Sequence, residues 1–332
     1  MFRLTEAWYQ GSRWLNLLRP LALLYQAIAA WRRNNLTRSK RWRSPVPVIV
    51  VGNISIGGTG KTPAVICLVE YFKELGFKPG IVSRGYGGKA NSYPVLLDAQ
   101  SKAVEVGDEP LMMHLRCRCP VVVDPDRVAA ARHLLEYTDA DLIIADDGLQ
   151  HYALARDIEI AVIDGSRGLG NGLCLPAGPL REPATRLEEV DFILINGGDF
   201  ETSLPFERMV LRPDALVNLV TGERRSLNSL QESNNIHAVA GIGNPGRFFD
   251  MLVELGYEPI KHPFEDHYRY TYSDLAFGNG ITVIMTEKDA VKCAEFANEN
   301  MWYVAVAADL PDKLLAALGE RVAELTTGRA VL

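Results

Sequence analysis

From residue 45 onward the chain alternates short apolar runs with stretches of helical spacing. Residues 46–51, 80–83, 121–124, 142–145, 159–164 and 192–195 are largely apolar and β-branched, the composition of strands buried on both faces. Residues 63–75 and 127–137 place apolar side chains three and four apart and predict helices between those strands. Strands alternating with helices imply an α/β fold, a parallel sheet covered by helices on both faces.

The pattern changes after residue 205. Residues 208–227 mix apolar and polar positions at short spacing around a Thr-Gly turn and predict an extended or hairpin connector. A second α/β unit follows: a strand and loop at 236–245, a helix at 246–256, a strand and helix at 280–293, and a strand at 302–308. The expected organisation is a segment at 1–44, a phosphate-loop domain at 45–205, a linker at 206–230 and a smaller α/β domain at 231–332. No internal repeat or low-complexity tract interrupts it.

The first 44 residues read differently. In "WLNLLRPLALLYQAIAAW" (14–31), Leu17, Leu18, Leu21, Leu24, Tyr25 and Ile28 fall on one side of a helix, and Arg13, Asn16, Arg19 and Gln26 on the other. Those polar residues and Pro20 disfavour a transmembrane span, and Pro20 predicts a kink. Trp14, Tyr25 and Trp31 are rings that suit a headgroup boundary, and the basic run "RRNNLTRSKRWR" follows. An apolar face, aromatic rings and a basic flank together favour a helix on a membrane surface over one packed on the body with a solvated linker.

Charge sharpens this picture. The net charge of −6 divides into nine Lys/Arg against one acid in residues 1–44, and 26 against 40 in the rest. Composition is otherwise ordinary, 48% hydrophobic and 23% charged. Five scattered cysteines offer no second pair to complete a zinc site with Cys117 and Cys119, so reduced structural thiols in a reducing cytoplasm are expected. The N-terminal apolar stretch lacks a small-residue cleavage site, so no signal peptide is expected.

"SIGGTGKTP" (55–63) follows the first apolar run and precedes a helical pattern, the setting of a phosphate cradle. Gly57, Gly58 and Gly60 let backbone N–H groups point inward, with Ser55, Ile56 and Thr59 completing the loop. Lys61 adds a point charge and Thr62 a hydroxyl for Mg²⁺. Pro63 sits where its missing N–H costs little. Ser55 stands where the strict G-x-x-x-x-G-K-[ST] pattern has its first glycine, and a plain glycine turn before a helix is the weaker reading. Ile56 replaces the extra lysine of partitioning-type ATPases, which argues against a dimer-lysine mechanism.

"LIIADDGLQH" (142–151) ends a buried strand in Asp146 and Asp147, where the acid that holds Mg²⁺ or its water usually lies. The two compete for that role, or one caps the next turn. In "VGDEP" (106–110), Glu109 is as easily the N-cap of a helix opening at Pro110 as part of a site. His267 in "EDHYRYT" (265–271) stands alone in sequence. Arg84 in "SRGYGG" (83–88) and Arg181 in "LPAGPLREP" (175–183) suit an anion or plain solvation equally. "TEKDAVK" (286–292) places its lysine one residue late for a guanine-reading motif.

Taken in order, "SIGGTGKTP", "SRGYGG", "GDEP", "DDGLQH", "PAGPLREP", "GIGNPGRFF", "DHY" and "TEKDAVK" resemble the tetraacyldisaccharide 4'-kinase family, from the basic N-terminus to about Lys292. The resemblance implies a peripheral enzyme on the cytoplasmic face of the bacterial inner membrane. It would use ATP and Mg²⁺ to phosphorylate the 4'-hydroxyl of an acylated glucosamine disaccharide 1-phosphate, and the N-terminal charge then calls for no nucleic acid. It also implies that Asp108 and His267 form a catalytic dyad, that Lys61 neutralises the transferring phosphoryl group, and that Thr62, Asp146 or Asp147, and Glu109 are the candidate metal ligands. The separation of Asp108 from His267 suggests that the second unit closes over the first. Two rivals stand beside it. A phosphate-loop GTPase switch or maturation factor predicts GTP preference and no lipid acceptor, and a non-catalytic membrane module predicts that Lys61 is dispensable.

Overall fold

The computed structural model describes residues 4–38, 41–230, 236–278 and 280–330. Its first strands are β1 (Val48–Gly52), β2 (Pro79–Ser83), β3 (Val95–Leu96), β4 (Val121–Val123), β5 (Leu142–Asp146), β6 (Ile158–Asp164) and β7 (Phe192–Asn196). Then come β8 (Glu207–Asn218), β9 (Arg224–Arg225), β10 (His237–Ala240), β11 (Ile260–Pro263), β12 (Val283–Thr286) and β13 (Met301–Asp309). The helices are α1 (Leu4–Tyr9), α2 (Arg19–Arg38), α3 (Lys61–Glu74), α4 (Ala103–Val106), α5 (Asp108–Cys117) and α6 (Arg127–Tyr137), then α7 (Pro245–Glu254), α8 (Glu287–Cys293) and α9 (Asp312–Ala330).

All thirteen strands join one sheet, in the order β11-β10-β12-β13-β8-β7-β6-β1-β5-β2-β4-β3, with β9 paired to β8. Pairing within each half is parallel apart from the short strands β3 and β9. The fold is therefore a mixed α/β one with a predominantly parallel sheet. In β1 the side chains alternate between two cores. Ile49 and Val51 face the one beneath α3, and Val48 and Val50 face the one beneath α6. Burial on both faces is why these runs carry no polar positions.

The segment read as a connector is the strand that joins the halves. β8 lies parallel to β7 at Glu207–Met209, then antiparallel to β13 from Val210 to Asn218. Its register with β13 shifts between Ala305 and Val306, opposite Pro213, where a missing backbone N–H interrupts a ladder. The second half buries cores of its own around Phe248, Phe249 and Trp302 on one face, and Val239, Met285 and Met301 on the other. α9 then returns to the first core, where Leu314, Leu318 and Val322 join Val65, Leu68 and Phe72.

Sequence spacing matched these elements closely: α6 spans the residues expected, and most strands differ by one or two at their ends. It passed over β11 and α9. The N-terminal helix differs from expectation. Arg13–Leu18 forms a 3₁₀ turn, and Pro20 falls in the first turn of α2, where its ring breaks no backbone bond, so α2 runs on to Arg38. Among the described residues no helix is long and apolar enough to cross a membrane.

Candidate active site

The loop between β1 and α3 is shaped by two glycines with positive φ, Gly57 at 105° and Gly60 at 93°. A Cβ on Gly60 would lie 2.5 Å from Asn196 Nδ2, so only glycine fits there. Asn196, the last residue of β7, donates to the Thr59 carbonyl at 3.0 Å. Arg167 donates to the Gly58 carbonyl, and Asn53 Nδ2 reaches the Gly57 carbonyl and Thr59 Oγ1 at 3.4 Å each. With these carbonyls tied outward, the loop is held as a cradle ahead of the N-terminus of α3. Ser55 is buried, and the Ile56 N–H donates to the Pro179 carbonyl at 2.8 Å, which anchors the start of the loop to the proline-rich segment.

The adjacent aspartates have unlike environments. Asp146 is buried at the end of β5 and accepts from Ser83 Oγ at 3.0 Å through Oδ2, while its Oδ1 has no hydrogen-bond partner among the described residues. Burial, then the charges of Glu109 and Asp147, push its carboxyl up to about 7. Asp147 takes φ 47° just past the strand and turns towards two cations. Arg181 Nη1 donates to its oxygens at 3.0 and 2.9 Å, and Lys61 Nζ lies 3.5 Å away. Burial opposes ionisation of Asp147, but Lys61 and Arg181 overcome it and hold the carboxyl at about 2.

Asp108 opens α5, with Gly107 as the N-cap at φ 91°. Glu109 therefore lies in the first turn of that helix and is not its cap. A Cβ on Gly107 would meet the Tyr86 carbonyl at 2.7 Å, so "SRGYGG" and "GDEP" interlock through bare backbone. His267 comes from the other half at φ 60°, and its Nδ1 stands 3.1 Å from both Asp108 oxygens. The two meet although they stand 159 positions apart in sequence. Burial disfavours an ionised Asp108, but the His267 bond and the Lys288 charge bring its carboxyl below the ordinary range. The Asp108 bond raises His267 in turn, against burial and Lys288.

Lys288, left without a role by the sequence, lies at this junction. Its Nζ is 2.9 Å from Glu109 Oε1 and 3.3 Å from Asp266 Oδ1. His267 Nε2 is 3.4 Å away and Asp108 Oδ2 3.8 Å. The glycine loop, Asp146, Asp147, Glu109, His267 and Lys288 all border one cleft of about 2070 Å³ between the two halves of the sheet. Arg84 and His151 border it too, and burial beside Arg127 and Arg84 drives His151 down to about 3. Asn196 and Arg167 escaped sequence reading: an asparagine after an apolar run and an arginine in a loop carry no pattern.

Residues 14–323 match the family model of LpxK, tetraacyldisaccharide-1-P 4'-kinase. The chain belongs to that family. It is 51% identical over 308 residues to a tetraacyldisaccharide 4'-kinase of Pseudomonas putida, a span covering 92% of each chain. To that of Alcanivorax borkumensis it is 50% identical over 319 residues, 95% of this chain and 96% of the relative. LpxK of Aquifex aeolicus, whose crystal structure holds ATP, superposes with a TM-score of 0.79 at 30% identity, over 93% of this chain and 99% of that one. Family members thus share this architecture over nearly its whole length.

Proposed function

We propose that this protein transfers the γ-phosphoryl group of ATP to the 4'-hydroxyl of a tetraacylated glucosamine disaccharide 1-phosphate. The observation that carries the reading is the 3.1 Å approach of buried Asp108 to His267, which borders the same cleft as the glycine loop. Gly57 to Thr62 receive the nucleotide phosphates, and Lys61, already beside Asp147, adds its charge to them. Mg²⁺ suits the donors present: a buried oxygen of Asp146 without a partner among the described residues, and the Thr62 hydroxyl, both from residues bordering the same cleft. Asp146 and Thr62 would hold the ion, which would supply positive charge to the phosphates. Asp147 is committed to Lys61 and Arg181, and Glu109 to Lys288, which leaves Asp146 and Thr62 as the direct ligands.

Asp108 accepts the proton of the acceptor hydroxyl as its oxygen bonds to the γ-phosphorus and the bond from that phosphorus to the bridging oxygen breaks, leaving ADP. His267 holds the carboxylate through Nδ1. The apolar face of α2 points away from the body and forms a membrane-contacting surface. Leu21 is 53% exposed and Leu24 58% exposed, while Trp8 of α1 and Tyr25 of α2 tie the segment down by hydrogen bonds of 3.1 Å to the Pro176 and Arg181 carbonyls. The phosphate-loop domain at 45–205, the linker at 206–230 and the smaller domain at 231–332 are the working units, with residues 1–44 as the membrane-associating segment on the cytoplasmic side.

Transfer of labelled γ-phosphate from ATP to detergent-dispersed acceptor tests the reading. Wild type is expected to be active, with Lys61→Ala and Asp108→Ala each reduced roughly 10²–10⁴-fold. No transfer by the wild type, or undiminished transfer by Asp108→Ala, would refute it.

A further inference from the structure

Lys288 is held where it is by its neighbours. Thr286 caps α8, Arg116 Nη1 donates to both Glu287 oxygens at 3.2 and 3.0 Å, and Asp289 Oδ2 accepts from the Gly241 N–H at 2.9 Å. With one flank tied to α5 and the other to the loop after β10, the lysine between them projects into the dyad, its side chain 16% exposed. An ammonium only donates, so the His267 nitrogen it faces at 3.4 Å must be an acceptor for that contact to be a hydrogen bond. Nε2 then carries no proton, Nδ1 carries one, and Nδ1–H donates to Asp108. A competing arrangement lies within reach. Asp266 Oδ1 is 3.9 Å from Nε2 and would attract an Nε2–H. Lys288 prevents this by taking both partners, Asp266 Oδ1 at 3.3 Å and Nε2 at 3.4 Å.

We propose that Lys288 is a positioning residue that fixes the tautomer of neutral His267, keeping its proton on Nδ1 and its bond on Asp108 rather than Asp266. The proposal rests on the reading of Asp108 as the base. Lys288 itself touches no reacting atom. Without it His267 bonds to Asp266 through Nε2–H, and Asp108 loses the donor that orients it.

The test uses the full chain with ¹⁵N-labelled histidine, observed at alkaline pH, beside phosphoryl transfer to detergent-dispersed acceptor. Wild type is expected to show His267 as the Nδ1–H tautomer. Lys288→Met should shift it to the Nε2–H form and lower kcat about 10²-fold, with KM for ATP nearly unchanged; a wrong tautomer costs about 10⁴-fold in a Ser-His-Asp triad, where the histidine is itself the base. Lys288→Arg, which like lysine only donates, should retain the Nδ1–H form and recover most of the rate. Should Lys288→Met fail to fold, Lys288→Arg carries the test on its own: the Nε2–H form with its rate kept overturns the proposal. So does a folded Lys288→Met with an unchanged tautomer, or with kcat as high as that of Lys288→Arg. Asp108→Asn separates the underlying reading: if it transfers phosphate at the wild-type rate, the dyad is not the base, whatever the His267 spectrum shows.

Discussion

Asp146 and Asp147 are adjacent and chemically identical, yet one is buried with a free oxygen and the other is clamped by two cations. The difference lies in which way each side chain leaves the end of β5, and a positive φ at Asp147 makes the turn. The dyad shows the same dependence on surroundings, and it acts as a pH-dependent brace. Bonding to Asp108 raises the proton affinity of His267, so its share of the stability is complete below the ordinary imidazole value of 6.5. That share is lost as pH rises through the raised value. Burial opposes an ionised Asp108, but His267 and Lys288 hold it below the ordinary 3.8. Its share is therefore complete above 3.8 and lost as pH falls through the lowered value. A double-mutant cycle of Asp108→Asn and His267→Gln, followed by urea unfolding, is expected to give its largest coupling between pH 3.8 and 6.5 and less on either side. Coupling that stays flat with pH contradicts this account.

At the scale of elements, the site is made where strands and helices end. The glycine loop lies between β1 and α3, the metal candidate Asp146 closes β5, the proposed base Asp108 opens α5, and Lys288 lies in the first turn of α8. Two glycines of one loop are expected to differ accordingly. A Cβ on Gly60 meets Asn196 and Met209 at φ 93°, whereas one on Gly58 meets nothing within 4 Å. Gly60→Ala should cost about 1–3 kcal/mol of stability as well as ATP affinity, because the strain is in the loop itself. Gly58→Ala should leave thermal unfolding unchanged and weaken ATP binding alone, since its methyl enters the space assigned to phosphate. Equal melting temperatures for the two variants would show that the Gly60 conformation is not under that constraint.

The whole molecule is one sheet whose halves are joined by β8, with the cleft at the join and α2 along its edge. Tyr25, Ile28, Arg32 and Arg33 of α2 border that cleft, so the proposed membrane face and the glycine loop open on the same space. Replacing Leu21, Leu24 and Ile28 together by Asp is expected to weaken sedimentation with anionic vesicles about tenfold or more, while ATP binding in solution persists. Undiminished vesicle binding would remove α2 as the contact. Several features were legible in the chain alone. The alternation of elements, both strand-terminal aspartates and the glycine loop follow from periodicity and from the few residue types that suit such backbone, and these are local properties. The pairing of Asp108 with His267 came from family resemblance, because no spacing rule links residues 159 apart. Tertiary structure alone decided the rest: β8 as a shared strand, α9 packed against α3, Asn196 braced on Thr59, and Lys288 among four partners from two elements. Such contacts depend on which strand ends meet across the sheet, and a lysine or asparagine reads the same in sequence wherever the fold carries it.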